Sequence, residues 1–192
     1  TTGKHMRSPA FLLTALAAGA GLWATAAAAQ EEPVRFGLVM SYSGWFQPID
    51  ASTINGATMA AEEINAAGGV LGRPIEIVSF DNRSEPLLGA DGALELIGQG
   101  AVALLFPSDF DFGAPGAYVA QQNGVLAFSG GSDPKWGPAA IGNMAYSISN
   151  ASTVQGALLA EWASETQGWD SAYVLLDNTI AFTQSLCGSF AT

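Results

Sequence analysis

The run from Ile54 to Pro74 constrains this chain more than any other stretch. Its middle has the spacing of a helix. Ala60, Ala61, Ile64 and Ala67 recur three and four residues apart and share one small apolar face, while Glu62, Glu63 and Asn65 take the opposite side. Gly68-Gly69 ends the helix, because glycine accepts the left-handed backbone that a helix C-terminus often requires. Val70 to Pro74 then turn the chain into a new apolar run, Ile75 to Phe80. A helix that is small on its inner face and followed at once by an apolar strand belongs against a sheet.

Strand and helix signals alternate on both sides of this unit. Val34–Met40, Ile75–Phe80, Ala101–Phe106 and Gly124–Phe128 read as strands, the third almost purely apolar, as in parallel strands covered on both faces. Ser41–Asp50 reads as a loop. Helices are expected over Leu87–Gly98, with Leu88, Leu94 and Ile97 inward, and over Gly113–Asn123. Met144–Ile148 crosses into a further region. There, Asn150 to Thr153 carry capping side chains and open a helix to about Gln167. Ala172–Leu176 reads as another buried strand, with a helix starting near Ala181. This alternation predicts an α/β fold with a doubly wound parallel sheet built from right-handed βαβ units. In open sheets of this kind ligands bind beyond the carboxyl ends of the strands, which selects Ser41–Asp50, Asp81–Pro86, Pro107–Asp111 and Ser129–Trp136.

The helix ending Glu-Ile-Asn-Ala-Ala-Gly-Gly-Val-Leu-Gly-Arg-Pro resembles the first helix of the type I periplasmic binding proteins. The branched-chain amino acid (Leu/Ile/Val-type) receptors of ABC transporters are the group it is most similar to. Gly37–Gly44 upstream and Gly124–Ser129 downstream fit the same pattern in the same order, and the resemblance runs from about Val34 to about Phe182. It implies two lobes that close over a small polar solute, an amino acid or related compound, and pass it to an ABC transporter permease. Residues 30–145 would form the first lobe and residues 146–192 the start of a second. The family's chains are about twice as long, so the resemblance also implies that the protein continues past Thr192.

The N-terminal residues suit an exported protein. Met6-Arg7-Ser8 precede an apolar stretch, Pro9–Ala20, and a small-residue region, Ala24–Gln30. This is the order of a signal peptide, with cleavage expected after Ala29 and residues 1–29 removed. The alternative is an uncleaved anchor, but the run offers about 20 residues at most and is rich in Ala rather than Leu, near the lower limit for a span. Export across the inner membrane would place the protein in the periplasm. Removing Lys4 and Arg7 leaves four basic groups against 17 acidic ones. That balance disfavours nucleic acid and anionic membrane surfaces as partners. A monomer is expected.

Enzymatic chemistry finds little support. The only histidine, His5, lies upstream of the leader, and the only cysteine is Cys187. Ser–His and Cys–His nucleophilic schemes are therefore closed to the mature chain, and no internal disulfide can form. No Cys/His metal cluster, phosphate-binding loop or dinucleotide fingerprint is present, and no cofactor is expected. A hydrolase using Asp81 and Asp109 is the remaining enzymatic alternative. A sensory receptor domain of the same fold is the non-enzymatic one.

The resemblance places a ligand carboxylate at the loops after the third and fourth strands, here Pro107-Ser108-Asp109 and Gly130-Gly131-Ser132. Ser108 and Ser132 can each donate a hydroxyl, and glycines such as Gly131 let backbone N–H groups approach closely. Either serine could instead be an ordinary turn or cap residue. Trp45 and Phe46, in the first loop, either line the ligand site or pack beneath the loop as a plug. Phe182 falls where the family often sets an aromatic ring over the ligand. Trp136 stands at the cleft rim or covers the sheet edge. Asp109 and Asp111 depart from the leucine-type pattern. They either bind a cationic group or cap the following helix, where negative charge is favourable. The family's disulfide positions are Ser84 and about Pro107 here, so that crosslink is missing. The acid that holds a ligand ammonium would lie in the part of the second lobe beyond Thr192.

Overall fold

A computed structural model describes residues 1–3 and 32–192. The expected leader and its cleavage site lie outside the described residues. Among the described residues, no helix is long and apolar enough to cross a membrane.

Five strands make one sheet: β1 (Val34–Met40), β2 (Ile75–Asp81), β3 (Ala103–Phe106), β4 (Leu126–Ser129) and β5 (Ala145–Ser147). Their order is β2-β1-β3-β4-β5 and every pairing is parallel. The register runs in step, with Leu38 beside both Ser79 and Leu105, and Leu105 beside Phe128. β5 is a strand beyond the four expected before the crossing, and it carries the first sheet to Ser147.

Helices cover both faces, as a doubly wound sheet requires. On one face lie α2 (Leu88–Gly98) and α3 (Phe110–Gln122), enclosing Val39, Leu104, Phe106 and Ala127. On the other lies α1 (Gln47–Ala66), against Leu38, Met40 and Leu105. α1 begins three residues before the end of the expected loop, because Pro48 sits in its first turn, where a missing N–H costs nothing. Its packing face also differs from the expected one. Of Ala60, Ala61, Ile64 and Ala67 only Ala61 is buried, and the contact with the sheet runs through Asp50, Ile54 and Ala57. The small side chains leave an apolar groove of about 250 Å³ beside Phe36, Ile64, Ile77 and Leu105 instead of filling it.

α2 buries Gly89, Gly92, Ala93 and Leu96, whereas Leu94, expected inward, is exposed. The glycines explain the rotation. A Cβ on Gly92 would stand 2.4 Å from the Phe80 ring, so α2 sits flush on that ring only because Gly92 has no side chain. α4 (Ser152–Glu161) continues into a π-helical turn, Trp162–Thr166, and packs on α5 (Ala181–Phe190). The expected side-chain cap of α4 is not formed. Ala172–Leu176 is not a strand: Tyr173 is 92% and Leu175 86% exposed. A strand needs a neighbour for its hydrogen bonds, and no other strand of the described residues lies there to supply one.

Candidate functional site

The strand order fixes where a site can form. The connection from β1 runs to β2 on one side, and β3 returns on the other. A crevice therefore opens between the carboxyl ends of β1 and β3, the topological switch point. Its walls are the loop after β1, Ser41–Phe46, and the loop after β3, Pro107–Asp109.

Asp50, from the first turn of α1, spans this crevice from below. It is fully buried, and its carboxylate accepts from Ser41 N at 2.9 Å and, at the limit of a hydrogen bond, from Ser108 N at 3.5 Å. Burial raises its pKa, and the two amides only partly offset this. Asp50 was not among the residues expected at the site; nothing in its local sequence separates it from a first-turn acid that complements the helix dipole.

The loop after β1 is tied to the loop after β2. Asp81 Oδ1 accepts from Tyr42 N, Ser43 N and Arg83 N, and Asp81 Oδ2 accepts from Ser43 Oγ at 2.6 Å. Partial burial acts to raise the Asp81 pKa, but these donors outweigh it and the net direction is downward. Ser84 Oγ accepts from Phe46 N at 3.0 Å and donates to Ser43 O at 2.9 Å. Arg83 and Ser84 adopt left-handed backbone, φ 55° and 59°, and Gly44 opposite them has φ 86°. Ser84, expected from the resemblance to stand where the family has half of a disulfide to about Pro107, instead joins the loop after β2 to the loop after β1 by hydrogen bonds.

This bracing sets the aromatic residues. Phe46 is 4% exposed and stacks on Phe112 at 4.8 Å between ring centroids. Trp45 packs edge-on to both rings, at 5.3 and 5.4 Å, and stays 60% exposed. Phe46 thus packs beneath the loop as a plug, while Trp45 stays exposed. Phe112, on the first turn of α3, was missed because its apolar character reads as ordinary helix core.

The loops after β3 and β4 are joined by Ser129, whose Oγ donates to Pro107 O at 2.7 Å and accepts from Gly131 N at 2.8 Å. Ser108 Oγ faces Gly130 so closely that a Cβ there would lie 2.9 Å away. Ser147 Oγ donates to Gly131 O, and Ser152 N donates to Ser132 O, both at 2.6 Å. Ser108 is half-buried and Ser132 buried, and the contacts that hold these two run through their backbone atoms. Ser108 thus stands against Gly130 at the end of β3, and Gly131 and Ser132 follow at the end of the neighbouring β4.

Asp109 takes the capping role. It has extended backbone at the N-cap of α3 and accepts from Asp111 N at 2.8 Å. Its pKa is pushed up to about 6, chiefly by burial and further by the charges of Asp111 and Asp133, against the amides of Asp111 and Phe112. Asp133 lies 3.6 Å from Lys135, which also rests over the Phe110 ring. Asp81 and Asp109, the two carboxylates considered for a hydrolase, each accept hydrogen bonds from backbone amides. Trp136 is in the core, against Gly113 and Gly131, with a buried and unpartnered Nε1, so it covers the sheet instead of forming the rim. Asp111 reaches outward: its Oδ2 accepts from Ala181 N at 2.8 Å, which brings the start of α5, with half-buried Phe182, to the N-terminus of α3. Among the described residues there is no metal-binding cluster of His, Cys, Asp or Glu.

Comparison with known proteins gives a consistent result. Residues 33–192 match the family model described as periplasmic binding protein. A Leu/Ile/Val-binding protein, BraC3, of Rhizobium johnstonii is 30% identical over 93 residues, 48% of this chain and 25% of that protein. An amino acid binding protein of Pseudomonas aeruginosa is 36% identical over 78 residues, 40% of this chain and 21% of that protein. Among solved structures, the substrate binding protein LivJ of a branched-chain amino acid transporter from Streptococcus pneumoniae, in complex with isoleucine, superposes with a TM-score of 0.76 at 24% identity. That alignment covers 83% of this chain and 46% of LivJ. A solute binding protein of an ABC transporter from R. palustris, in complex with benzoate, has a TM-score of 0.70 at 19% identity, covering 82% and 43%. The chain thus spans under half the length of these solved proteins.

Proposed function

This chain belongs to the periplasmic binding protein family, and from that premise we propose that it captures a small solute bearing an acid group and delivers it to an ABC transporter permease outside the cytoplasm. The observation that carries this reading is the pairing of Ser108 and Ser132 at adjacent strand ends, with their loops fixed through Ser129 and Asp50. Two hydroxyls and the glycine backbone between them suit a carboxylate, which accepts several hydrogen bonds at once. Because the bracing is already complete, little ordering remains for the ligand to impose. Residues 30–145 act as the first lobe and residues 146–192 as the start of the second, with Phe182 facing the ligand from α5. Binding favours closure because only the closed form contacts the solute from both sides. The relatives named for amino acids, and the neighbour holding benzoate, support a solute with a carboxylate.

Isothermal titration of the full-length protein with small carboxylates tests this. We expect saturable binding, weakened about tenfold or more by Ser108→Ala and by Ser132→Ala, as befits a hydrogen bond to a charged group. Tight binding indifferent to both substitutions would remove the hydroxyls from the site.

A further inference from the structure

We propose that Asp109 and Asp111 form a proton-gated clamp: the two carboxylates cap different helices, α3 and α5, and a proton taken up at Asp109 tightens the hold of Asp111 on α5. The clamp does not depend on which solute the crevice takes. α5 has no cap of its own, since its N-cap residue is Ile180 and no side-chain capping hydrogen bond forms there. The first amides of a helix need partners. Asp111 supplies one from α3, its Oδ2 accepting from Ala181 N at 2.8 Å, 70 residues away in the chain. Asp109, two residues before Asp111, is the N-cap of α3 and accepts from the Asp111 amide itself. The backbone that carries one cap is thus pinned by the other.

The two carboxylates are thereby held as neighbours in a site that water screens poorly, for Asp109 is 5% exposed. Burial raises the Asp109 pKa to about 6, and the charges of Asp111 and of buried Asp133 add to the rise. Lys135 lies 3.6 Å from Asp133, and Asp50 of α1 reaches the neighbouring Ser108 N–H. The acids of α2, Asp91 and Glu95, are exposed, as is Asp177 before α5, and α5 itself carries no charged side chain. While α5 is docked, Asp111 is held beside Asp109. With α5 undocked, Asp111 is free to turn into water, and the repulsion falls. Asp109 therefore has the higher pKa in the docked form, and docking takes up a proton. The reciprocal follows by linkage. The extra hold on α5 is complete below the pKa of the undocked form and is lost as the pH rises through about 6.

Hydrogen exchange at the Ala181 amide of the full-length protein, corrected for the intrinsic pH dependence of exchange, tests the clamp at pH 5 and pH 7.5. Protection should be roughly three- to tenfold greater at pH 5. Asp109→Asn keeps a capping oxygen without the charge, and should show the acid-side protection at both pH values. Asp111→Ala should show low protection, equal at both. Exchange in β1 and β3 verifies that each variant is folded, and the wild-type pH series decides by itself if one is not. Wild-type protection that is flat, or that falls on acidification, overturns the proposal. So does an unchanged pH dependence in Asp109→Asn, which would put the responsible proton on another group.

Discussion

Asp109 holds a position in which capping and burial oppose each other. As the N-cap of α3 it is favoured as an anion by the amides it accepts from. As a buried carboxyl near Asp111 and Asp133 it is favoured as the neutral acid, and burial prevails, pushing its pKa up to about 6. A folded-state pKa above the unfolded value means that the native chain binds the extra proton. The stabilising effect of that proton is complete below about pH 4 and is lost as the pH rises through about 6. Asp109→Asn retains a capping oxygen and removes the charge. Relative to the wild type it should therefore gain stability between pH 4 and pH 7, on the order of 1 kcal/mol once partial solvent screening is allowed for. Chemical denaturation at the two pH values measures this. A wild-type-minus-variant difference that is flat with pH would show that Asp109 is ionised throughout. Asp50 feels the same burial, but it has no role that local sequence could reveal. Its partners Ser41 and Ser108 are nine and 58 residues away, and only the strand order brings them to one carboxylate.

The loops after β1 and β2 behave as one element because Ser84 joins them. Ser84→Ala leaves the buried Phe46 N–H without its acceptor and Ser43 O without its donor. A loss of about 2 kcal/mol of unfolding free energy is expected, together with weaker ligand binding as Trp45 loses its base. If Ser84→Ala lowers stability but leaves the affinity untouched, the brace is structural alone. What the sequence displays at this scale is the periodic part. β1 is read to the residue and β2 to within one, because each is a short run of mainly apolar residues bounded by turn signals. The same pattern misleads at Ala172–Leu176, where the apolar run is present but no pairing strand lies beside it among the described residues. The inner faces of α1 and α2 also escape it. Small residues let a helix rotate toward whichever ring or strand fits, as Gly92 does on Phe80. Of the candidate site, the loops that carry Ser108, Gly131 and Ser132 follow from strand ends, and the resemblance picks these residues out within them. Phe112 and Ser84 do not, since their roles rest on contacts made across the fold.

At the scale of the molecule, α4 and α5 move or stay as a pair. Gly156 of α4 lies directly against α5, and Ser152 Oγ donates to Ser185 Oγ at 2.8 Å. The pair is linked to the site loops through Ser152 N on Ser132 O and through Asp111 Oδ2 on Ala181 N. The second link places a carboxylate at the N-terminus of α5, where the unpaired amides and the helix dipole both favour negative charge. Asp111→Ala removes it without touching the sheet. Hydrogen exchange at the first α5 amides should then accelerate roughly two- to 30-fold, the range expected for a charge–dipole contact of about 0.3–2 kcal/mol, while β1 and β3 keep their protection. Asp111→Asn, still an acceptor but uncharged, should fall between. Because this link crosses from the wall of the crevice to the helix that carries Phe182, its loss should also let α5 withdraw from the crevice and weaken solute binding. Unchanged exchange at Ala181 in Asp111→Ala would mean that packing between α4 and α5 alone holds the helix in place.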